Sequence, residues 1–501
     1  MATQDELFQL VKSLTPSEKR YFKTNAAKGG DAKSNYVQLF DAIDSQEEEY
    51  DEELLKQKHA KKPFVKYLSA EKKYLREQVM KQMRAYRSDL SVDNKINELL
   101  QDEQFYRDKG LKQHREKTIL KAKELATKYE RLYLLQEILE RQVDFVQEFE
   151  EKSLTEPVLR LHTELQRLSV NQQTHLDLSF KNREIFSAYR SGADIQDPIV
   201  RHRLDRAIAE AELLRSRTVG SFSLQQTLSR AYSNYYQFFR DNEKSYEYVL
   251  NEYLLYQENP QFKESGTYNY KICLANLISR AHGAKKITEF LQFIEEMKAL
   301  PATNFNEDGE VFQNVYFLEH LHYINTGAFD KAAALIPNIE KGLVEYEAKI
   351  NKARLLSFSY NIMVMYFLMH RFKDAAKWAD QILTDKSEIK QGVTTVTRIL
   401  LPIIHFELGH HDIVESLTRS AYRYLKEKKL LYAFEKLMIN YLKNMPFSID
   451  ETEFKLKLNH FSKALDEMNE QERLAPGVEE INLWTKHRLG GQMMSDLILA
   501  H

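Results

Sequence analysis

Histidine and acidic side chains cluster at one point of the sequence, where His410, His411 and Asp412 follow one another. Imidazole and carboxylate groups bind divalent metals, but these three would need a further ligand from elsewhere in the chain. Another pair, His320 and His322, lies two residues apart in a predicted helix. Their rings would point about 200° apart, so they cannot share one ion. The sequence therefore predicts no metal site.

The single cysteine, Cys273, lies in the apolar run YKICLANLI, which is typical of an inert core thiol rather than a nucleophile. One cysteine allows neither an internal disulfide nor a cysteine-rich zinc site. Glycines are paired only at 29–30 and 490–491, and neither pair has the pattern of a phosphate-binding loop. The sequence thus predicts no catalytic residue and no cofactor, and an enzyme hypothesis would depend on residues 410–412 alone.

Composition indicates that helices position these side chains. Of 501 residues only 15 are glycine and 10 are proline, fewer than sheets and long loops need. The formal net charge of −2 gives no general attraction to nucleic acid or anionic lipid. No uncharged apolar run approaches about 18 residues, and residues 1–14 lack a secretory-signal pattern. We expect an all-α protein without membrane contact, in a reducing, cytoplasmic compartment.

Residues 1–90 are predicted to form an N-terminal helical domain. The string LTPSEK should open a helix, with Thr15 as N-cap, Pro16 at the first helical position and Glu18 completing a capping box. Further on, apolar residues recur at helical spacing and should face a core. These residues are Leu75, Val79, Met83, Tyr86 and Leu90.

Charge is unevenly distributed in this domain. Residues 44–53 hold seven acids and no base, whereas residues 56–88 hold eleven Lys or Arg against two acids. The segment 56–88 could bind nucleic acid or an acidic partner. Alternatively, neighbouring acidic and basic helices could neutralise one another. The candidate basic patch consists of Lys61, Lys62, Lys73, Arg76, Arg84 and Arg87.

From about residue 91, helical stretches alternate with short breaks. Several breaks share one form, a small or polar corner followed by a helix that opens on small residues. A repeat of about 40 residues is long enough for two helices and two turns. Longer loops are expected at 188–198 and 301–310, where Pro, Gly, Asn and Asp collect. The corner positions are Arg240, Gly283, Gly327, His370 and Gly409, at steps of 43, 44, 43 and 39 residues.

Two of these corners resemble the inter-helix corner of tetratricopeptide repeats (TPR), which reads Gly-Asp-Tyr-x-x-Ala. Residues 327–332 read GAFDKA, and residues 370–375 read HRFKDA with histidine in place of glycine. Residues 408–414, LGHHDIV, match more loosely. The resemblance covers about 310–430, extends back towards 91 and is absent before that. It implies a right-handed α-α superhelix of TPR-like helical hairpins over 91–445, with capping helices at 446–501.

In TPR arrays the first helix of each pair lines a concave groove. The resemblance therefore implies a non-catalytic interaction scaffold or adaptor that binds a peptide or partner helix in that groove. The same positions could instead be solenoid core. The alternative function is a regulatory protein whose basic N-terminal domain binds nucleic acid while the repeats sense a partner. The candidate groove residues are Tyr316, Phe317, His320, Tyr360, Val364, Phe367, Arg398, Ile399, Ile403 and His405.

Overall fold

The computed structural model describes residues 6–28, 34–46, 49–88, 91–149, 156–191, 193–301, 305–385, 389–444, 451–469, 472 and 475–499. Within those ranges the chain forms helices and their connections, and it contains no strand. The all-α class that composition predicts is confirmed. The low glycine and proline content explains it, because few positions interrupt a helix.

We number the α-helices in chain order. The first thirteen are α1 (Glu6–Ser13), α2 (Pro16–Lys28), α3 (Asn35–Asp44), α4 (Glu52–Lys58), α5 (Pro63–Lys66), α6 (Leu68–Ser88), α7 (Val92–Asp108), α8 (Lys112–Lys128), α9 (Leu132–Phe149), α10 (Glu156–Ser191), α11 (Pro198–Leu213), α12 (Phe222–Phe238) and α13 (Asn242–Glu258). The others are α14 (Pro260–Ser265), α15 (Thr267–Gly283), α16 (Ile287–Ala299), α17 (Phe305–Asn325), α18 (Phe329–Glu345), α19 (Lys352–Leu368), α20 (Phe372–Thr384), α21 (Gln391–Glu407), α22 (His411–Glu427), α23 (Ala433–Lys443), α24 (Glu451–Asp466), α25 (Val478–Gly490) and α26 (Met494–Leu499). Short 3₁₀ turns lie at Arg215–Arg217 and Glu347–Lys349.

The chain divides into two compact units. One comprises Met1–Glu184, Asp205–Leu228 and Asn259–Ser265, and the other comprises Ile185–Leu204, Ser229–Glu258 and Gly266–His501. In the first unit, helices α1–α6 share one hydrophobic cluster, and α7–α10 contribute to another. In the second unit, α24–α26 share a cluster with α17–α23. The predicted domain boundaries at residues 90 and 445 stay predictions.

The capping box that the sequence predicts at the start of α2 is confirmed. The backbone N–H of Thr15 donates to Glu18 at 2.9 Å, and the N–H of Glu18 donates to the Thr15 hydroxyl at 3.2 Å. On α6, Leu75 and Val79 are fully buried, as their spacing predicts. Met83 is buried and Tyr86 half-buried, whereas Leu90 lies outside the described residues.

The corners between helices repeat one backbone geometry. Gly327 has a left-handed backbone conformation with φ 67°. Its N–H donates to the Ile324 carbonyl, and the N–H of Ala328 donates to the Tyr323 carbonyl. This Schellman arrangement satisfies carbonyls at the helix end and reverses the chain. Among the described residues the same pair of hydrogen bonds and a positive φ recur at Gly110, Glu130, Arg240, Lys285, Gly327, His370, Gly409 and Lys429.

Four of the five corners predicted from the sequence are therefore left-handed corner residues. The prediction at Gly283 is wrong by two positions, because Gly283 still belongs to α15 and Lys285 has the left-handed conformation. Both predicted long loops are shorter than expected. Helix α10 continues to Ser191, and α17 begins at Phe305.

Helices α15, α17, α19, α21 and α23 contact one another in succession, and each of the first four also packs against the helix that follows it. We call these five helices the first-helix layer. Small residues permit close approach within the pairs, as the sequence predicts for Ala332 and Ala375, which are fully buried. An added Cβ at Gly342 on α18 would lie 2.1 Å from the Phe312 ring on α17. The paired helices thus pack at short range.

Candidate partner-binding groove

The candidate groove residues lie on three members of the first-helix layer, and none of them is exposed. Five are half-buried, and the other five are buried. The buried apolar ones belong to the hydrophobic core, so a partner could reach them only by displacing the residues that pack over them. Tyr316, Phe317 and His320 lie on α17, Tyr360, Val364 and Phe367 on α19, and Arg398, Ile399, Ile403 and His405 on α21. The buried members are His320, Val364, Phe367, Ile399 and Ile403.

Side chains of α21 contact α25 and the glycine before it at two places. At the start of α25, an added Cβ on Gly477 would lie 2.9 Å from a methyl group of Val396, near the beginning of α21. At its middle, the fully buried Trp484 donates its indole N–H to Glu407 at 2.7 Å, at the end of α21. Arg488 also approaches Glu407, at 3.6 Å. The two helices therefore run in the same direction in contact with each other.

Helix α25 also contacts α19. The Tyr360 hydroxyl donates to Glu480 at 2.9 Å. About two turns of α25 further on, the rings of His487 and His370 meet edge to face at a centroid distance of 4.1 Å. The order of these contacts shows that α25 runs parallel to α19 as well. A helix from the chain's own C-terminal region thus covers the first-helix layer at α19 and α21.

Burial governs the electrostatics of this contact. It raises the pKa of the Glu480 carboxyl, and it also raises the pKa of the Tyr360 hydroxyl, next to the Glu480 charge. The neutral phenol is therefore the donor. Burial lowers the pKa of His370, and the charges of His487 and Arg488 lower it further. The contact of α25 with α19 thus combines a hydrogen bond between Tyr360 and Glu480 with the ring contact between His370 and His487.

The basic segment in residues 56–88 is partly neutralised by its acidic neighbour. Lys72 and Lys56 pair with Glu52 at 2.7 and 3.0 Å, and their hydrogen bonds lower the pKa of Glu52 to about 2. Arg76 pairs with Glu6 at 3.1 Å. The four other described members of the candidate patch are exposed and form no ion pair within the described ranges. These are Lys61, Lys62, Lys73 and Arg84, whereas the Arg87 side chain lies outside the described residues.

Exposed tyrosines accompany these cations, and sequence reasoning missed them. Tyr67 is 60% exposed with the Lys66 ammonium 5.5 Å from its ring centre, and Tyr74 is 45% exposed beside Lys73. The signal that could have found Tyr74 is its position off the apolar stripe of α6, whereas Tyr67 precedes that helix. The segment therefore presents aromatic as well as charged groups.

The residues that sequence analysis considered for chemistry are separated. His410 lies 3.1 Å from His405 through their Nδ1 atoms, whereas the His411 ring packs against Phe406. Cys273 is fully buried. In the described ranges no three His, Cys, Asp or Glu side chains are placed to hold a metal ion.

Two further observations concern membrane-spanning helices and similarity to known proteins. Among the described helices, none combines the length and apolarity needed to cross a membrane. The chain matches no family model, and neither the curated proteins nor the solved structures contain a match to it.

Proposed function

We propose that the protein is a non-catalytic, TPR-like interaction scaffold that binds an amphipathic partner helix along its first-helix layer. The fold that goes with this proposal is a right-handed α-α superhelix of helical pairs. Left-handed corners at Arg240, Lys285, Gly327, His370 and Gly409 follow at steps of 45, 42, 43 and 39 residues, and the first helices contact in succession. These features support a repeat array, in which each pair buries the apolar stripe of its neighbour.

The single observation that carries the function is the position of α25. A helix laid along α19 and α21 is the helix-in-groove mode in which an amphipathic helix presents one apolar face. Ile481 and Trp484 are fully buried in that face. Glu480 and Arg488 flank it and meet Tyr360 and Glu407. The partner's chemistry would therefore be a helix with a central aromatic anchor flanked by charged residues.

A competition experiment tests this function. Truncating the buried Trp484 to alanine should cost about 3–5 kcal/mol and loosen α25. A labelled peptide of residues 475–491 should then bind the Trp484→Ala chain at least tenfold more tightly than the unmodified chain. The reason is that α25 of the unmodified chain competes at a high effective concentration. Fluorescence anisotropy with the full chain measures both affinities.

Two controls make the result specific. The same peptide carrying Trp484→Ala should lose its binding, because it lacks the anchor. The full-chain variant Gly477→Val should expose the same face by a different route, since a side chain there would clash with Val396. If neither variant binds the peptide, the first-helix layer is not a helix-binding groove.

A second function, nucleic-acid binding by residues 56–88, has its own support. Exposed Lys61, Lys62, Lys73 and Arg84 lie near in sequence to the exposed rings of Tyr67 and Tyr74. Cations that track a backbone and rings that stack on bases are the features of single-strand binders. The full chain should then bind a labelled oligonucleotide with a steep salt dependence, and Lys73→Glu with Arg84→Glu should abolish it. An absence of binding at about 50 mM salt would reject this alternative.

A further inference from the structure

Two histidine rings join the end of α25 to the corner after α19. The rings of His370 and His487 meet edge to face with their centroids 4.1 Å apart. Nδ1 of His487 lies 2.6 Å from the carbonyl oxygen of Gln492 and donates to it, because a carbonyl oxygen only accepts. Nε2 of His370 is buried and has no hydrogen-bond partner within the described ranges. The contact thus depends on two side chains of the type that gains charge in mild acid.

The charges of α25 that act on His370 are positive. Burial is the main cause that lowers the pKa of His370, and the charges of His487 and Arg488 lower it further. The neighbouring ring from α20 belongs to the uncharged Phe372, with its centroid 5.7 Å away. A proton on His370 therefore places a positive charge beside other positive charges, and these neighbours supply no negative charge to balance it.

The carboxylates of this region are paired with arginines. Glu407 and Glu451 approach Arg488 at 3.6 and 3.9 Å. On the corner itself, Arg371 pairs with Asp374 at 2.7 Å. These acids moderate the arginine charges, but within the described ranges they form no ion pair with either histidine ring of the contact.

The start of α25 responds to acid in the opposite direction. Burial raises the pKa of Glu480, which accepts from the Tyr360 hydroxyl at 2.9 Å. The docked helix therefore binds this proton more tightly than an opened helix does, and acid strengthens the contact there. At His370 the docked helix binds the proton less tightly. The stability of that contact is complete above pH 6.5 and is lost as the pH falls below 6.5. Acid thus has opposite effects at the two ends of one helix.

We propose that His370 and His487 form an acid-sensitive latch. In mild acid the two charged rings separate, and the C-terminal end of α25 leaves the corner after α19 while the start of α25 stays in place. The helix ends at Gly490, and the next residue, Gly491, has φ 74°, so the chain can change direction there at little steric cost. The regulatory use of the latch rests on the proposed function, because an opened end of α25 would uncover the end of α19 for a partner helix.

Native-state hydrogen exchange of the full chain at pH 7.5 and pH 5.5, followed by mass spectrometry, tests the latch. Protection factors remove the intrinsic pH dependence of exchange, and proteolytic fragments separate residues 478–484 from residues 485–490. One histidine with a lowered pKa changes the opening equilibrium by at most about tenfold at one pH unit below 6.5. Protection over residues 485–490 should therefore fall about three- to tenfold in acid, whereas protection over residues 478–484 should fall less than about twofold.

The variant His370→Asn removes the titrating ring and keeps the corner. Asparagine tolerates the left-handed backbone that His370 has at φ 59°. In this variant the acid-induced fall over residues 485–490 should shrink to less than about twofold. His460→Asn, at an exposed position on α24, is the matched control and should leave the fall unchanged. If His370→Asn does not fold, His487→Asn, which keeps a donor for the Gln492 carbonyl, answers the same question.

Three outcomes would overturn the latch. They are equal protection of residues 485–490 at the two pH values, a fall of undiminished size in the His370→Asn chain, and a fall of equal size over 478–490 and α20. The last result would show that acid opens the whole unit rather than one end of a helix. No peptide takes part in this measurement, so a failure of the latch and a failure of the proposed groove function are distinguishable.

Discussion

The indole N–H of Trp484 donates to the Glu407 carboxylate at 2.7 Å and so joins α25 to the end of α21. Trp484 is fully buried, and the two residues are 77 positions apart in the chain. A hydrogen bond to a charged acceptor contributes about 1.5–3 kcal/mol. Trp484→Phe keeps an aromatic ring but removes the donor, so the free energy of opening α25 should fall by that amount.

Native-state hydrogen exchange over residues 478–490 measures that free energy. Exchange in α7 and α8, which belong to the first unit, should stay unchanged and serves as the internal control. Protection of α25 that is equal in the variant and the unmodified chain would contradict the assigned role of this bond.

The left-handed corners predict opposite effects of glycine and alanine. At Lys285, φ is 58°, a conformation that strains a residue with a Cβ, so Lys285→Gly should stabilise the second unit by about 0.5–1 kcal/mol. At Gly409, φ is 77° and an added Cβ would meet nothing within 4 Å, so Gly409→Ala isolates the backbone strain. Gly409→Ala should lower the free energy of unfolding of the second unit by about 1 kcal/mol. Thermal unfolding should show shifts of opposite sign, and shifts of the same sign would refute the corner assignment.

His320 makes the second unit sensitive to acid. Its ring is fully buried, and burial lowers its pKa from 6.5 to about 4. The unfolded chain therefore binds the proton more tightly, so stability is complete above pH 6.5 and is lost as the pH falls from 6.5 to 4. The loss is on the order of 3 kcal/mol.

A single variant of His320 tests this sign. Both ring nitrogens lack a partner within the described ranges, so His320→Leu should cost little at pH 7 and should remove most of the loss in acid. Urea unfolding of the variant at pH 7 and pH 5 measures the difference. His460→Leu, at an exposed position, is the matched control and should leave the acid sensitivity intact. Equal acid sensitivity of His320→Leu and the unmodified chain would show that other groups, such as His282 and His322, carry it.

In the first unit, Glu103 lies buried between two arginines. Its carboxylate accepts from Arg115 and from Arg141, both at 2.6 Å, and it is 1% exposed. Glu103→Ala would leave the buried Arg115 without this partner and should destabilise the unit by about 3–5 kcal/mol. The double variant that carries both Glu103→Ala and Arg115→Met should recover much of the lost free energy of unfolding, which urea unfolding measures.

An exposed pair is the control for that experiment. Arg160 and Glu156 lie 3.1 Å apart on the surface of α10, and Glu156→Gln should change stability by less than about 0.5 kcal/mol. A double variant as unstable as Glu103→Ala alone would show that the carboxylate does more than neutralise Arg115.

Local patterns in the sequence predict local structure. The Thr15–Glu18 capping box is confirmed because its hydrogen bonds span three residues, and Leu75 and Val79 are buried because a helix fixes their common face. The error at Gly283 has a physical cause. The left-handed corner falls on Lys285, and a lysine in that conformation has no signature in the composition.

Local sequence patterns do not predict which residues far apart in the chain come into contact. Tyr360, a candidate groove residue, donates its hydroxyl hydrogen bond to Glu480, which is 120 positions away in the chain.

The sequence by itself determined that this chain is helical, that corners lie at Arg240, Gly327, His370 and Gly409, and which face of α6 is apolar, because these depend on the backbone preferences and spacing of neighbouring residues. Only the tertiary structure decided that α25 contacts α19 and α21 and that Trp484 is buried with Glu407 as its acceptor. Those outcomes depend on which apolar faces and charges meet after the chain has folded, and many pairings would satisfy the same pattern.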